Sequence, residues 1–369
     1  MVPSSPSPSP SRLISTSTST PCHISPSHMT NVSEKMQAAV VSEPGAEFDL
    51  VDRPVPEPNP DEVRIAVEAC GICHSDVFVK EGTYPGVEYP RVPGHEVAGR
   101  IDAVGADVNM WEIDDRVGVG WHGGHCFDCD PCRRGDFQQC VDGKITGLTY
   151  DGGYAEYTTV PAEAVAAVPD ELTAVEAAPL LCAGVTTYNA LRHTEARPGD
   201  LVAVQGIGGL GHLGIQYAHA AGFETVALSR STDKEPLAKE LGADHFIDAT
   251  AVDPAERLTE LGGASVILAT APASDAISRV VSGLGADGSV VVVGIPGEPI
   301  EASGQDLVGS RSSVEGWASG DARDSQDTLE FSALRTITPE VETYSLDEVT
   351  TAYSRMIENE ARFRAVIEP

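Results

Sequence analysis

The sequence predicts an α/β protein in two parts, a compact, mostly antiparallel β domain and a doubly wound parallel sheet. Three observations carry that expectation. The chain has 369 residues, more than a single hydrophobic core of ordinary size organises. Up to about residue 184 it shows short β-type runs punctuated by glycine and proline, as in antiparallel sheets with tight connections. Beyond that point fully apolar runs alternate with helical stretches, the pattern of buried parallel strands joined by crossover helices.

Residues 1–35 are dominated by serine, threonine and proline. They cannot bury enough apolar surface to order themselves, so they read as a disordered extension. They also lack the basic start and apolar core of a secretory signal. The folded pattern begins at Met36-Gln-Ala-Ala-Val-Val, which makes Met29 and Met36 candidate starts. Within 36–184, Val63-Arg-Ile-Ala-Val-Glu-Ala and Val97-Ala-Gly-Arg-Ile-Asp-Ala-Val read as strands. Residues 185–318 form the parallel-sheet unit, with strands at 201–205, 224–228, 265–269 and 289–294 and a helix over about 210–221. Residues 319–369, through Glu342-Thr-Tyr-Ser-Leu-Asp-Glu-Val and Ala361-Arg-Phe-Arg-Ala-Val-Ile, return to the first domain.

Composition narrows the partners. Fifty-six acidic against 24 basic residues give a net charge of −32, a surface that repels nucleic acid and anionic membranes. Lysine is confined to Lys35, Lys80, Lys144, Lys234 and Lys239. The pattern resembles proteins adapted to a high-salt cytoplasm, where hydrated carboxylates keep the chain soluble. No apolar stretch approaches the roughly 18 residues of a transmembrane helix. Seven of the eight cysteines lie in metal-type contexts and Cys22 lies in the low-complexity tail, which points to a reducing, cytoplasmic location.

Cys126, Cys129, Cys132 and Cys140 form C-x2-C-x2-C-x7-C in a glycine- and aspartate-bearing loop. Four thiolates close a tetrahedral zinc site and leave no position for substrate, so this metal is structural. His125 adjoins the loop, where it reads as a neutral loop histidine rather than a competing ligand. Other donors fall in Cys70-Gly-Ile-Cys73-His-Ser-Asp, in Gly94-His95-Glu96 and in Leu-Leu-Cys182-Ala-Gly. Two thiolates and an imidazole drawn from these blocks leave a fourth tetrahedral position open, as a catalytic metal requires.

Gly206-Ile-Gly208-Gly209-Leu210-Gly211 follows the apolar run 201–205 and opens a helix. In that strand, turn and helix context the glycines admit a pyrophosphate and the helix supplies N–H donors, the signature of dinucleotide binding. The end of the second strand selects the coenzyme, because a carboxylate there binds the ribose of NAD whereas NADP needs space and positive charge. Ser229 stands at that position, followed by Arg230 and, four residues on, by Lys234 beside Asp233. The set favours NADP(H), with NAD(H) as the alternative.

With Gly94-His95-Glu96-x2-Gly99-x5-Gly105 added, the chain from Met36 to Pro369 resembles the zinc-dependent medium-chain alcohol dehydrogenases. The Gly-Trp-His-Gly-Gly-His-Cys stretch is most similar to their cinnamyl-alcohol-dehydrogenase-like branch. The resemblance implies a GroES-like catalytic domain over 36–184 and 319–369 and a Rossmann domain over 185–318. It implies that Cys73, His95 and Cys182 ligate the catalytic zinc while Cys70 is a packed thiol. By the same resemblance Asp76 orients His95, Glu96 lies behind the metal, Ser75 takes the alcohol proton, and Arg364 reaches the coenzyme phosphates. Phe78 stands where relatives often carry a relay histidine, leaving water, coenzyme hydroxyls, His74 or His122 for the outer proton path. Trp121 and His122 either line the substrate pocket or pack.

The expected function is therefore hydride transfer between a primary alcohol or aldehyde and NADP(H), in an enzyme with two zinc ions per chain. Its partners are small molecules, with no nucleic acid and no membrane, and the resemblance implies a homodimer or homotetramer. An NAD-dependent alcohol dehydrogenase is the nearest alternative. A zinc- and nucleotide-binding protein without catalysis is a more distant one.

Overall fold

The computed structural model describes residues 35–369. The proposed extension over residues 1–35 and the thiol of Cys22 thus lie outside the described residues, apart from Lys35, which begins a strand.

The antiparallel part is organised by one long strand, Glu62–Ile72, whose apolar residues are buried along most of its length. One edge pairs with Val97–Val104, which pairs in turn with Arg116–Val119. The other edge is shared. Residues 62–66 pair with the strand Tyr157–Pro161, and residues 70–72 pair with the last strand of the chain, Arg364–Glu368. The C-terminal segment therefore closes the sheet begun by the N-terminal half, and Val341–Ser345 adds a parallel strand outside it. Val63, Ile65, Ile72, Val97, Ile101 and Tyr154 form the centre of its core.

The second sheet has six strands, all parallel, in the spatial order His245–Asp248, Glu224–Ser229, Leu201–Gln205, Ala264–Ala269, Leu284–Val292, Ser313–Gly316. Numbered within this unit the order is 3-2-1-4-5-6, the doubly wound arrangement that opens a crevice beyond strands one and four. Leu201–Gln205 is buried at every position, as a central strand covered on both faces must be. The sequence pattern places the fifth strand at 289–294, whereas pairing already starts at Leu284 and shifts register between Ala264 and Val266. The polar, glycine-bearing segment Gly285 to Gly288, with Asp287 at φ 60°, hides this part of the strand from an apolar-run reading.

The turn after Leu201–Gln205 shows why its glycines differ. Gly206 adopts φ +97°, and a Cβ on Gly211 would lie 1.9 Å from the Gly206 carbonyl oxygen. A Cβ on Gly208 would meet nothing within 4 Å. We expect Gly211→Ala to destabilise the fold by about 2 kcal/mol through overpacking, and Gly208→Ala to leave the urea midpoint unchanged. Equal midpoints for the two variants would contradict this packing.

Candidate active site

Register in the first sheet assembles the site. Cys70 pairs with Val97 and Ile72 pairs with Ala365, so the end of the long strand lies between the start of Val97–Val104 and the start of Arg364–Glu368. Cys73 follows that end, His95 and Glu96 lead into one neighbour, and Arg364 opens the other. Cys182 arrives from the middle of a helical rod. Ala174–Pro179 and Val185–Arg192 are α-helical, but Leu180–Gly184 between them is a π-helical turn, the kind of local widening that recurs at functional sites.

The Sγ atoms of Cys73 and Cys182 are 3.7 Å apart. Together with a His95 nitrogen and a Glu96 oxygen they fall within 4.8 Å of one another. Zinc–sulfur bonds of about 2.3 Å in a tetrahedron put two sulfurs about 3.8 Å apart, so the thiol pair fits that ion. The imidazole fits as well. Asp76 Oδ1 lies 3.1 Å from His95 Nδ1, and because a carboxylate only accepts, Nδ1 carries the proton. The lone pair is then on Nε2, which is buried without a partner among the described residues. The hydrogen bond from the Cys182 thiol, opposed by burial and aided by His95, holds Cys73 well below the ordinary thiol range.

Asp76 is itself fixed. Its Oδ2 accepts from the Cys73 backbone N–H and from the Tyr154 hydroxyl, each at 2.8 Å, and it is buried. Tyr154 is invisible to the sequence reading, since nothing local to Gly152-Gly153-Tyr154 indicates that it faces a carboxylate 78 positions earlier. Glu96 accepts from Arg364 Nη2 through Oε1, while Oε2 is buried with no partner among the described residues. Burial lifts the Glu96 carboxyl to about 7 against the attraction of Arg364. Arg364 also lies against the glycine turn, because a Cβ on Gly209 would lie 3.0 Å from its Nη1.

Cys70 lies outside the donor group. Its Sγ is buried beside the Gly71 carbonyl at 3.7 Å, and burial, with the charge of Asp76, pushes the thiol well up. Ser75 sits partly buried in the short turn His74–Asp76, and His74 is exposed. The hydroxyl of Ser75 has no hydrogen-bond partner among the described residues. Trp121 meets the His95 ring edge-on at 5.0 Å, and Phe78 and Tyr84 complete an aromatic wall at 6.2 and 6.4 Å from Trp121. His122 does not join that wall. Its ring packs 5.2 Å from His125, which stacks on Phe137.

In the cysteine loop the sulfurs of Cys126, Cys132, Cys129 and Cys140 form pairs at 3.6, 3.9 and 4.0 Å, again the edge length of a zinc tetrahedron. His125 is not among these four.

At the second strand's end Lys234 Nζ donates to the Ile207 carbonyl at 2.6 Å and lies 5.5 Å over the Phe363 ring. Arg362 approaches the same ring at 5.9 Å. Burial, then the charges of Arg362 and Arg230, pulls the Lys234 ammonium below its ordinary value. None of these three cations has an ion pair among the described residues. Arg362 carries no signal of its own in the sequence, where only Arg364 of the same stretch is expected at the coenzyme.

Family models for an alcohol dehydrogenase GroES-like domain and for a zinc-binding dehydrogenase match residues 59–170 and 209–334. An alcohol dehydrogenase (patD) of Penicillium expansum is 45% identical over 329 residues, which covers 89% of this chain and 96% of that protein. Among solved structures, a cinnamyl alcohol dehydrogenase of Sorghum bicolor superposes with a TM-score of 0.82 at 31% identity, covering 90% of this chain and 97% of the other. A cinnamyl alcohol dehydrogenase of Helicobacter pylori, solved with NADP(H), gives 0.81 at 29%, covering 90% and 98%.

Removing an outer partner of a metal-binding histidine weakens metal affinity by roughly 10- to 100-fold. Asp76→Ala is expected to show that loss in a chelator competition for the reactive zinc, and Tyr154→Phe a smaller loss of the same sign. Unchanged affinity in Asp76→Ala would show that its carboxylate does not orient His95.

Proposed function

The chain belongs to the zinc-dependent medium-chain alcohol dehydrogenases, in their cinnamyl-alcohol-dehydrogenase-like branch, and on that premise we propose NADP(H) as its coenzyme and primary alcohols and aldehydes, including aromatic ones, as its substrates. It is an oxidoreductase acting on alcohols. The domain over 36–184 and 319–369 holds the metals, and the domain over 185–318 holds the coenzyme. Cys73, His95 and Cys182 ligate the catalytic zinc, and Cys126, Cys129, Cys132 and Cys140 ligate a second, structural one. The working unit is a dimer or tetramer in a reducing cytoplasm. No described helix is long and apolar enough to cross a membrane.

The observation that carries the coenzyme assignment is the gathering of Lys234 and Arg362 at the Phe363 ring with Arg230, the residue after Ser229, close enough to act on Lys234, in a chain of net charge −32. Unpaired cations gathered at one place in so acidic a protein suit an anion, and the ribose phosphate is the anion that distinguishes NADP(H). Gly206, whose N–H is held by the Leu228 carbonyl, starts the turn, Gly208, Gly209, Leu210 and Gly211 present its N–H groups to the pyrophosphate, and Arg364 lies against that turn.

Bound zinc supplies the Lewis acidity that lets an alcohol lose its proton near neutral pH, and the nicotinamide accepts the hydride. The chain's own residues do the rest. Asp76 keeps His95 in the tautomer that offers Nε2. Ser75 accepts the alcohol proton and returns it in the reductive direction. Exposed His74, adjacent to Ser75, passes that proton to solvent, a role that Phe78 cannot perform and that His122, packed against His125, does not face. The Phe78, Tyr84 and Trp121 rings flank the substrate carbon and favour flat, apolar alcohols.

Initial rates with both coenzymes, taken in high salt to suit the acidic surface, test this reading. NADP(H) is expected to exceed NAD(H) in kcat/KM by at least about tenfold, one contact's worth of charge-assisted bonding. Arg230→Ala with Lys234→Ala should abolish the difference by weakening NADP(H) more than NAD(H), which loses only the Lys234 support of the Ile207 carbonyl. A strong NAD(H) preference in the unaltered enzyme would overturn the assignment. Separately, Ser75→Ala should lower kcat about 100-fold or more, the usual worth of a positioned proton-transfer group.

A further inference from the structure

His212 lies in the first turn of the helix Gly211–Ala220 and is fully buried. Both ring nitrogens are engaged. Nδ1 is 2.9 Å from the carbonyl oxygen of Gly208 in the coenzyme turn, and Nε2 is 3.2 Å from the backbone nitrogen of Glu340. A carbonyl only accepts and an amide N–H only donates, so one protonation state satisfies both contacts, the neutral imidazole with its proton on Nδ1.

What lies beyond each contact gives the ring its significance. The Glu340 carbonyl accepts from the backbone N–H groups of Phe363 and Arg364 at 2.9 and 3.0 Å. Phe363 stacks on the His212 ring, with centroids 5.0 Å apart. The Arg364 guanidinium lies against Gly209 and donates to Glu96 beside the thiol pair. One turn further along the helix, Gln216 Nε2 donates to the Thr338 carbonyl at 3.0 Å. A continuous set of hydrogen bonds thus runs from the glycine turn, through one imidazole and the 338–340 segment, to the residue that faces the metal donors.

We infer that His212 is a positioning residue, which ties the coenzyme turn to the strand bearing Arg364 and so sets where the coenzyme phosphates stand relative to the metal site. The inference rests on the coenzyme reading above. Within this side-chain link the two contacts act in series: breaking either one removes the imidazole bridge, while the Gly208 carbonyl keeps the His212 main-chain N–H and Gln216 keeps Thr338. A ring serving only to fill its cavity, or to satisfy two polar groups independently, has no such property. Protonation of the ring would turn Nε2 into a donor facing another donor. Burial, with the nearby charge of Arg364, depresses the imidazole to about 4 and keeps it neutral in the working range.

The series arrangement gives the test. In zinc-loaded full-length enzyme, His212→Asn keeps a donor at the Nδ1 position and loses the acceptor, His212→Gln does the reverse, and His212→Phe keeps the stacking and loses both. Coenzyme affinity is read from the change in NADPH fluorescence on binding, and steady-state rates are read with the alcohol saturating. The expected result is a similar rise in coenzyme Kd and KM in all three, about tenfold, with kcat at saturating coenzyme and the alcohol KM within twofold of the unaltered enzyme. Coenzyme affinity unchanged in any variant that melts cooperatively would overturn the inference, as would graded losses in which Asn and Gln each show half the effect of Phe. The imidazole nitrogen resonances of the unaltered enzyme give a check that does not depend on any variant folding well. They should report a neutral Nδ1–H ring, and an Nε2–H ring or an imidazolium would overturn it. If the unaltered enzyme binds neither NADPH nor NADH, it is the coenzyme reading that fails, while the nitrogen resonances still decide the tautomer.

Discussion

The structure depends on one constraint, the register at the end of the strand Glu62–Ile72. A strand has two edges, and here residues 70–72 spend one on Val97–Val104 and the other on Arg364–Glu368. That choice places Cys73 between Glu96 and Arg364, residues 268 positions apart in the chain. A slip of one residue in either pairing would turn the side chains of that strand to the opposite face of the sheet. The Tyr157–Pro161 strand occupies residues 62–66 of the shared edge, which leaves only its far end for the C-terminal strand.

The electrostatics at this junction follow from burial. Asp76, Glu96, His95 and Arg364 are all nearly inaccessible to water, and charges in such a place persist only where each meets a partner. Asp76 meets three donors, from Cys73, Tyr154 and His95. Glu96 and Arg364 meet each other, yet Glu96 Oε2, Arg364 Nε and His95 Nε2 have no partner among the described residues. Three orphaned polar atoms in one small volume are expensive for a fold that binds nothing there, and reasonable for one that receives a metal and a phosphate-bearing coenzyme. The His212 link extends the same logic, since a buried imidazole with both nitrogens committed holds two backbone segments at one spacing.

Much of this was legible in the sequence where the signal is local. The four-cysteine spacing, the strand at Val97–Val104 and the strand, glycine turn and helix at 201–220 each carry their information within a few residues, and the structure places them accordingly. Three features were not legible. Tyr154 reaches Asp76 only through the packing of the core, Cys182 is presented by a π-helical turn that no residue pattern marks, and the polar start of Leu284–Val292 reads as loop until its partner strand is known. Trp121 and His122 show the limit most clearly. Adjacent residues in extended chain point to opposite sides, so only one of two plausible pocket residues faces His95, and the sequence does not say which.

The central claim is that two distinct zinc sites are drawn from seven cysteines with one deliberately left out, and zinc counting on purified protein tests it most directly. Metal analysis of the unaltered chain should return two zinc ions. Cys182→Ser and Cys129→Ser should each lose one, with only the first keeping a native melting profile, and Cys70→Ser should keep both together with its activity. Loss of a zinc from Cys70→Ser, or two zinc ions retained in Cys182→Ser, would contradict the account.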